Sequence, residues 1–298
     1  MESLLRSIAG QTRPPDEVIL VNAASTDRTV GRIAAFAAPF PLRVLTVERV
    51  FPGVARNEGV AAASQEWIAF TDGGIRLDAR WLEALATVAA TGVDAVFGNF
   101  DPVCDTFFRT SAAVAYVPGR SPNGTRGPSI ASAAIRRSVF DTIGGFPPFR
   151  ASEDLVFMER LTRQFRVGYA PAARAYWEIA GGLSSTHRRF AEYSWHNLEA
   201  GRGRLWHLGV ARLYVGLSVA IGLAALAGLG LWASLLVPAF FLARAAKAAW
   251  QKQGSFPFET LHPGRVAGAA AVLAVIDAAT LEGWARWILG LPARSHRR

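Results

Sequence analysis

Trp67-Ile68-Ala69-Phe70-Thr71-Asp72-Gly73-Gly74 is the stretch that decides how this chain folds. Four apolar residues without alternation read as a strand buried on both faces, and the two glycines permit the positive φ angles of a tight turn. Asp72 then stands at the strand's carboxyl end. Ligands bind along that edge of an open α/β sheet, which makes a carboxylate there a candidate binding group. The competing reading is structural: Asp72 opens a turn and caps a helix over residues 77 to 90. For the stretch taken alone, the cap is the favoured reading.

The pattern repeats on both sides of this stretch. Glu17 to Val21 is a short apolar strand, and Ser25-Thr26-Asp27 starts a helix with Ile33, Ala34 and Phe36 at helical spacing. Leu42 to Val47 is a second strand and Val54 to Ala63 a second helix, while Asp94 to Phe100 adds another strand after the helix at 77 to 90. Alternating β and α elements with near-continuous apolar strands predict an α/β domain with a mostly parallel sheet and helices on both faces. Ser121 to Pro128 is loop chemistry, followed by a small-residue strand at 129 to 135 and a short helix at 138 to 143. Loops of this kind shape acceptor pockets.

The 298 residues are 51% hydrophobic and carry a formal charge of +9. That composition calls for a membrane component. Lys247 and Lys252 are the only lysines, so the charge is arginine, which together with abundant alanine resembles a high-GC bacterial coding bias. The arginines form no basic stripe with interleaved aromatics, which argues against nucleic acid and leaves anionic lipid head groups and sugar diphosphates as partners. Cys104 is alone, so no intrachain disulfide or cysteine metal cluster forms, in keeping with a cytoplasmic face. The segment at Met1 has no long apolar region of a signal peptide and reads as the middle of a helix, with Leu4, Leu5 and Ile8 on one face.

Leu213 to Ala243 contains no charge and is flanked by Arg212 and Arg244. One helix over that stretch would run ~46 Å at about 1.5 Å per residue, against a hydrocarbon core of about 30 Å, so a single span fits poorly. Gly228-Leu229-Gly230 offers a break that makes a transmembrane hairpin over residues 205–250. Arg202, Arg204 and Arg212 before it and Arg244, Lys247 and Lys252 after it place both ends in the cytoplasm. Residues 251–298 form a linker, an apolar stretch from Val266 to Leu291 carrying Asp277, Glu282 and Arg286, and a basic tail with Arg294, Arg297 and Arg298. An interfacial helix is preferred over a third span for that stretch.

Gly144-Gly145-Phe146 precedes Ser152-Glu153-Asp154-Leu155, which presents two adjacent acids at a helix start where Ser152 can cap and the helix dipole favours their ionised forms. One of them serves as a general base if it reaches an acceptor hydroxyl; the bland alternative is a pair of ordinary first-turn acids.

In order along the chain stand Pro14 to Val21, Ser25-Thr26-Asp27, Ala55-Arg56-Asn57-Glu58-Gly59, Phe70-Thr71-Asp72, Trp81-Leu82, Arg136-Arg137, Gly144-Gly145-Phe146 and Ser152-Glu153-Asp154. This set resembles the family-2 glycosyltransferases, which have the GT-A (Rossmann-like) fold, over roughly residues 1–204. The resemblance implies transfer of one sugar from a nucleotide-diphosphate donor to a lipid-linked or cell-envelope glycan acceptor, usually with inversion. It implies Asp154 as the general base with Glu153 orienting the site. Asp72, Arg56, Asn57 and Asp27 would bind the donor, Gly145 and Phe146 the acceptor. Asp72 would also hold a divalent cation, Mg or Mn, against the leaving diphosphate, whose growing charge a metal or an arginine must stabilise.

Four departures from the family pattern accompany these expectations. The family's first strand falls before Met1, so the chain is expected to begin one element late. Asn22-Ala23 stands where an acidic pair is usual, and Gly74 stands where the donor motif has its second acid. His187-Arg188-Arg189-Phe190 replaces the glutamine-arginine-tryptophan signature of processive synthases, which implies a non-processive enzyme. His187 and His196 read as surface or packing residues. The expected whole is a glycosyltransferase of the bacterial inner membrane with its catalytic domain facing the cytoplasm. The alternative is a catalytically inactive GT-A membrane scaffold, motivated by the same departures.

Overall fold

The structure, a computed structural model, describes residues 1–25, 28–48 and 50–293. In chain order the elements are α1 (Glu2–Ala9), β1 (Val18–Ala23), α2 (Thr29–Ala34), β2 (Leu42–Val47), α3 (Pro52–Ala62), β3 (Trp67–Phe70), β4 (Arg76–Leu77), α4 (Trp81–Ala89) and β5 (Ala95–Val103). Then follow α5 (Phe107–Tyr116), β6 (Ala133–Arg136), α6 (Arg137–Ile143), α7 (Glu153–Gln164), β7 (Val167–Glu178), α8 (Leu183–Glu199), α9 (Gly203–Leu226), α10 (Leu236–Gln251) and α11 (Pro263–Ile288). They form two compact units, Met1–Val103 with Arg120–Glu178, and Cys104–Gly119 with Ile179–Arg298.

The first unit has the expected α/β layers, and the pairing adds detail that periodicity does not carry. β1 and β2 form a parallel pair in which Val18 faces Leu42. A five-stranded sheet has the order β3-β6-β5-β7-β4. Within it β5 and β7 run parallel, whereas β6 lies antiparallel between β3 and β5, and β4 pairs antiparallel with β7. The sheet is therefore mixed rather than mostly parallel. Successive residues of β5 point to opposite faces. Val96 joins a core with Leu4, Ile8, Trp81 and Leu85 from α1 and α4, and Ala95 and Phe97 join one with Val60, Phe140, Phe157 and Leu161 from α3, α6 and α7. Helices thus cover both faces of this sheet.

Among the described residues, β1 and β3 each pair with a strand on one side only. Both line a cavity of about 430 Å³, with Val18 and Leu20 on one wall and Ile68 and Phe70 on the other.

In the second unit α11 packs closely on α5 and α8. A Cβ at Gly268 would lie 2.4 Å from Ser111 Oγ, and one at Gly283 would lie 2.5 Å from the Ala191 carbonyl, so glycine is what lets these helices approach. The helix breaks at its glycines: α9 ends at Leu226, Gly228 and Gly230 have φ of 81° and 51°, and a 3-10 turn over Gly230–Leu235 leads into α10. Three helical stretches, Trp206–Leu226, Gly230–Gln251 and Pro263–Ile288, are long and apolar enough to cross a membrane. Arg244 of α10 pairs with Asp277 of α11, and Tyr214 of α9 donates to the same carboxylate at 3.2 Å, tying the three helices together. The basic tail residues Arg294, Arg297 and Arg298 lie outside the described residues.

Candidate active site

Asp72 leaves the end of β3 and closes a turn in which its carbonyl accepts from the Ile75 N–H at 3.3 Å. Helix α4 begins later, at Trp81 with Arg80 in the N-cap position, so the alternative role of Asp72 as its cap is not realised. Gly74 has φ of +87°, and a Cβ there would meet nothing within 4 Å. Side chains other than glycine rarely adopt that conformation.

Arg56, on the second turn of α3, is the hub of the site. Its Nη2 donates to Asp72 Oδ1 at 2.9 Å and its Nη1 to Glu153 Oε1 at 2.8 Å. The guanidinium lies over the Phe146 ring, 5.6 Å from its centroid. Phe146 is 3% exposed and stacks on Phe157 at 4.2 Å, with Phe70 and Phe140 alongside. Its ring is a buried floor for Arg56.

Asn57 is fully engaged by the backbone of the same turn: its Nδ2 donates to the Phe146 carbonyl and its Oδ1 accepts the Phe146 N–H, both at 2.9 Å. Gly145 explains the fit. Its φ is +78°, and a Cβ would stand 2.7 Å from Asn57 Oδ1. Sequence reasoning overlooked Gly53, where a Cβ would lie 2.8 Å from Glu153 Cγ and 2.9 Å from the Pro147 carbonyl. The only local signal was a glycine next to Pro52 at a helix start. Gly53 lets α3 press against the first turn of α7, which brings Arg56 to Glu153.

Ser152, at the N-cap of α7, makes no capping bond with its side chain; it is held in the left-handed region at φ +69°. A non-glycine residue in that conformation stores strain of order 1–3 kcal/mol. Asp154 Oδ1 instead accepts the Leu155 N–H at 2.8 Å. Burial pushes the Glu153 carboxyl above its ordinary 4.5, the charge of Asp154 adds to this, and Arg56 opposes it. Burial likewise pushes Asp154 above its ordinary 3.8 against the pull of Arg56, with the Asp72 charge adding a smaller push. Burial disfavours charge on Arg56, but Asp72 and Glu153 outweigh it and hold the guanidinium above its ordinary value.

The structure thus brings Asp72, Arg56, Asn57, Gly145, Phe146, Glu153 and Asp154 to one place, although they are spread over two helices and two turns. Asp27 lies outside the described residues. His187 and His196 are elsewhere, facing Glu282 at 3.5 Å and Glu199 at 2.9 Å. At the end of β5, Asp101 accepts from Arg120 and Arg126, each at 2.9 Å, and Asn99 donates to the Gly124 and Pro171 carbonyls; these bonds hold the loop from 120 to 128 in shape.

A single carboxylate at a strand's carboxyl edge, an arginine clamp and an acid pair at a helix start, on this α/β scaffold, are the arrangement of a glycosyltransferase of the GT-A class. The chain belongs to glycosyl transferase family 2, which matches residues 1–152. Glycosyltransferase AglE of Haloferax volcanii is 31% identical over 106 residues, 34% of this chain and 35% of that protein, so the match spans about a third of that relative's length. The fold is shared with a mannosyltransferase of Pyrobaculum calidifontis solved with GDP-Man and Mn2+, at a TM-score of 0.55 and 19% identity over 97% of this chain and 83% of that one. TarS of S. aureus matches at 0.46 and 18% over 64% of this chain and 36% of its own.

Proposed function

We propose that the enzyme transfers one sugar, with inversion and without processivity, from a nucleotide-diphosphate donor to a lipid-linked or cell-envelope glycan acceptor, and that Asp154 is the general base. The observation that carries this reading is the position of Asp154 at the start of α7, beside the Arg56 hub that also holds Asp72. A carboxylate made more basic by burial takes a proton from an acceptor hydroxyl more readily than an exposed one. Glu153, bonded to Arg56, fixes the guanidinium on the donor side. Gly145 and Asn57 hold the acceptor-side turn in shape, and the loop from 120 to 128 borders the acceptor.

The family implies a divalent cation. Asp72 offers a half-exposed oxygen ligand, Gly74 offers none, and among the described residues no group of three or more His, Cys, Asp or Glu forms a preformed cage. One carboxylate plus substrate phosphates is a coordination that Mg2+ accepts, so these residues fit a cation that is shared with the diphosphate. Bound there, it would neutralise charge growing on the leaving group.

Residues 1–204 are proposed as the catalytic domain and 205–250 as a transmembrane hairpin in a bacterial inner membrane. For α9 and α10, 6% and 11% of the apolar window is buried within the protein, against 44% for α11. The first two helices therefore offer their apolar surface to lipid, while α11 spends much of its own on protein and sits at the interface. Basic residues on both flanks of the hairpin favour a cytoplasmic catalytic domain.

The test is release of nucleoside diphosphate from a panel of UDP-, GDP- and dTDP-sugars in the presence of lipid-linked acceptors. Asp154→Asn should abolish turnover while donor binding and fold persist. A rate unchanged in that variant would remove Asp154 from the mechanism.

A further inference from the structure

Three carboxylates, Asp72, Glu153 and Asp154, surround one guanidinium. Arg56 bonds directly to the first two, and the third feels its charge. We infer that Arg56 is a placeholder cation: it neutralises Asp72 in the empty site, keeps divalent cations out until a nucleotide diphosphate arrives, and then exchanges Asp72 for the diphosphate. This inference rests on the reading of Asp72 as the donor-side acid.

The two ends of the Arg56 clamp are unequal. The Glu153 side chain is 7% exposed and that of Asp72 is 45% exposed, while Arg56 itself is 16% exposed. An ion pair with a solvated partner contributes little, whereas separating a buried pair leaves a desolvated charge uncompensated and costs far more. When the clamp opens, it therefore opens at Asp72. Glu153 and the Phe146 ring beneath the guanidinium keep Arg56 in place, with Nη2 freed to donate to a phosphate oxygen.

The same inequality explains why a divalent ion alone is excluded. At Asp72 it would compete with the 2.9 Å bond from Arg56 to Oδ1, or sit on the other oxygen beside a fixed positive charge, with Asp72 as its single carboxylate at the turn because residue 74 is glycine. A diphosphate changes the balance by supplying both the missing oxygen ligands and a new partner for Arg56. Cation and donor then bind as one event, and Arg56 marks the site as free or loaded.

Mn2+ binding followed by electron paramagnetic resonance, on the full chain in detergent, reads this directly. Wild type should take up no Mn2+ at 1:1 stoichiometry without nucleotide, and should take up one equivalent when UDP or GDP is added. Arg56→Gln should bind Mn2+ without nucleotide at least ten-fold more tightly than wild type, because three acids then lack their counter-ion. The double variant Arg56→Gln/Glu153→Gln removes the carboxylate bonded to Arg56 and guards against loss of fold; it should still bind Mn2+ without nucleotide more tightly than wild type, through Asp72 and Asp154. Mn2+ uptake by nucleotide-free wild type matching that of the variants would overturn the placeholder role while leaving the glycosyltransferase reading intact. Calorimetry on wild type separates the remaining outcomes: UDP or GDP binding that is indifferent to Mn2+ overturns the exchange, and binding of neither nucleotide overturns the exchange together with the donor site on which it rests.

Discussion

Removing Arg56 should destabilise the first unit by an amount that depends on pH in a defined way. In Arg56→Met, Glu153 keeps its burial and loses its partner, a situation that costs about 3–5 kcal/mol when the charge is retained. The carboxylate has an alternative, which is to bind a proton. Starting from its ordinary value of 4.5, and at about 1.36 kcal/mol per pH unit, neutralising it costs about 3.4 kcal/mol at pH 7 and about 1.4 kcal/mol at pH 5.5. Protonation is thus the cheaper route and sets the ceiling. The Asp72 side of the clamp is half exposed and adds roughly 0–1 kcal/mol. The sign follows from linkage: a carboxyl whose folded pKa is raised contributes stability at low pH and loses it as pH rises through that value, so the deficit of the variant grows with pH, to at most about 1 kcal/mol at pH 5.5 and about 3 kcal/mol at pH 7, since burial already pushes Glu153 up in wild type. Urea titration of wild type and variant at both pH values measures it. The double variant Arg56→Met/Glu153→Gln should recover to within about 1 kcal/mol of wild type. A double variant no more stable than the single one, or a deficit equal at the two pH values, would refute the assignment of Glu153 as the buried partner.

Two other outcomes follow from the geometry. Gly145→Ala forces a Cβ into the left-handed region and against Asn57 Oδ1, so it should cost upwards of about 1–2 kcal/mol in thermal stability; a loss below that range would mean the turn relaxes freely. Leu223→Arg, on the exposed side of α9, should weaken membrane insertion by about 2.5–3.5 kcal/mol and shift the protein into the alkaline-carbonate-soluble fraction, and full retention in the pellet would count against α9 as a span.

Much of the fold was legible because the relevant signals are local. The apolar runs at Leu42 to Val47 and Trp67 to Phe70, and the paired glycines at 228 and 230, each announce their element within a few residues. β7 was not legible. Val167–Glu178 contains Pro171, Arg174 and several alanines, has no apolar run, and becomes a strand because β5 and β4 pair on either side of it. α5 and α8 were missed for a related reason, since Thr106 caps the first from within a region rich in loop signals and the second carries His187-Arg188-Arg189 through its middle. The antiparallel insertion of β6 between β3 and β5 is a matter of pairing, which periodicity does not encode. In the site, the acids at 72, 153 and 154 could be picked out from their positions at element ends. The bond joining Arg56 to Glu153 spans 97 residues of sequence and left no trace in either neighbourhood.

The unpaired edges of β1 and β3 give the first unit a seam. A continuous sheet would carry backbone hydrogen bonds from β2 through to β4, but among the described residues no ladder joins β1 to β3, and the β1-β2 pair is held to the rest by side chains, loops and α3. Such a pair opens as its own cooperative unit, at a lower free energy than the five-stranded sheet. Its amides would exchange first in a hydrogen-exchange experiment. Arg56 stands on α3, which bridges this seam, and its partners Asp72 and Glu153 belong to the five-stranded side. The two charge contacts are therefore stitches, and loading or emptying the site sets how firmly the halves of the sheet are sewn together.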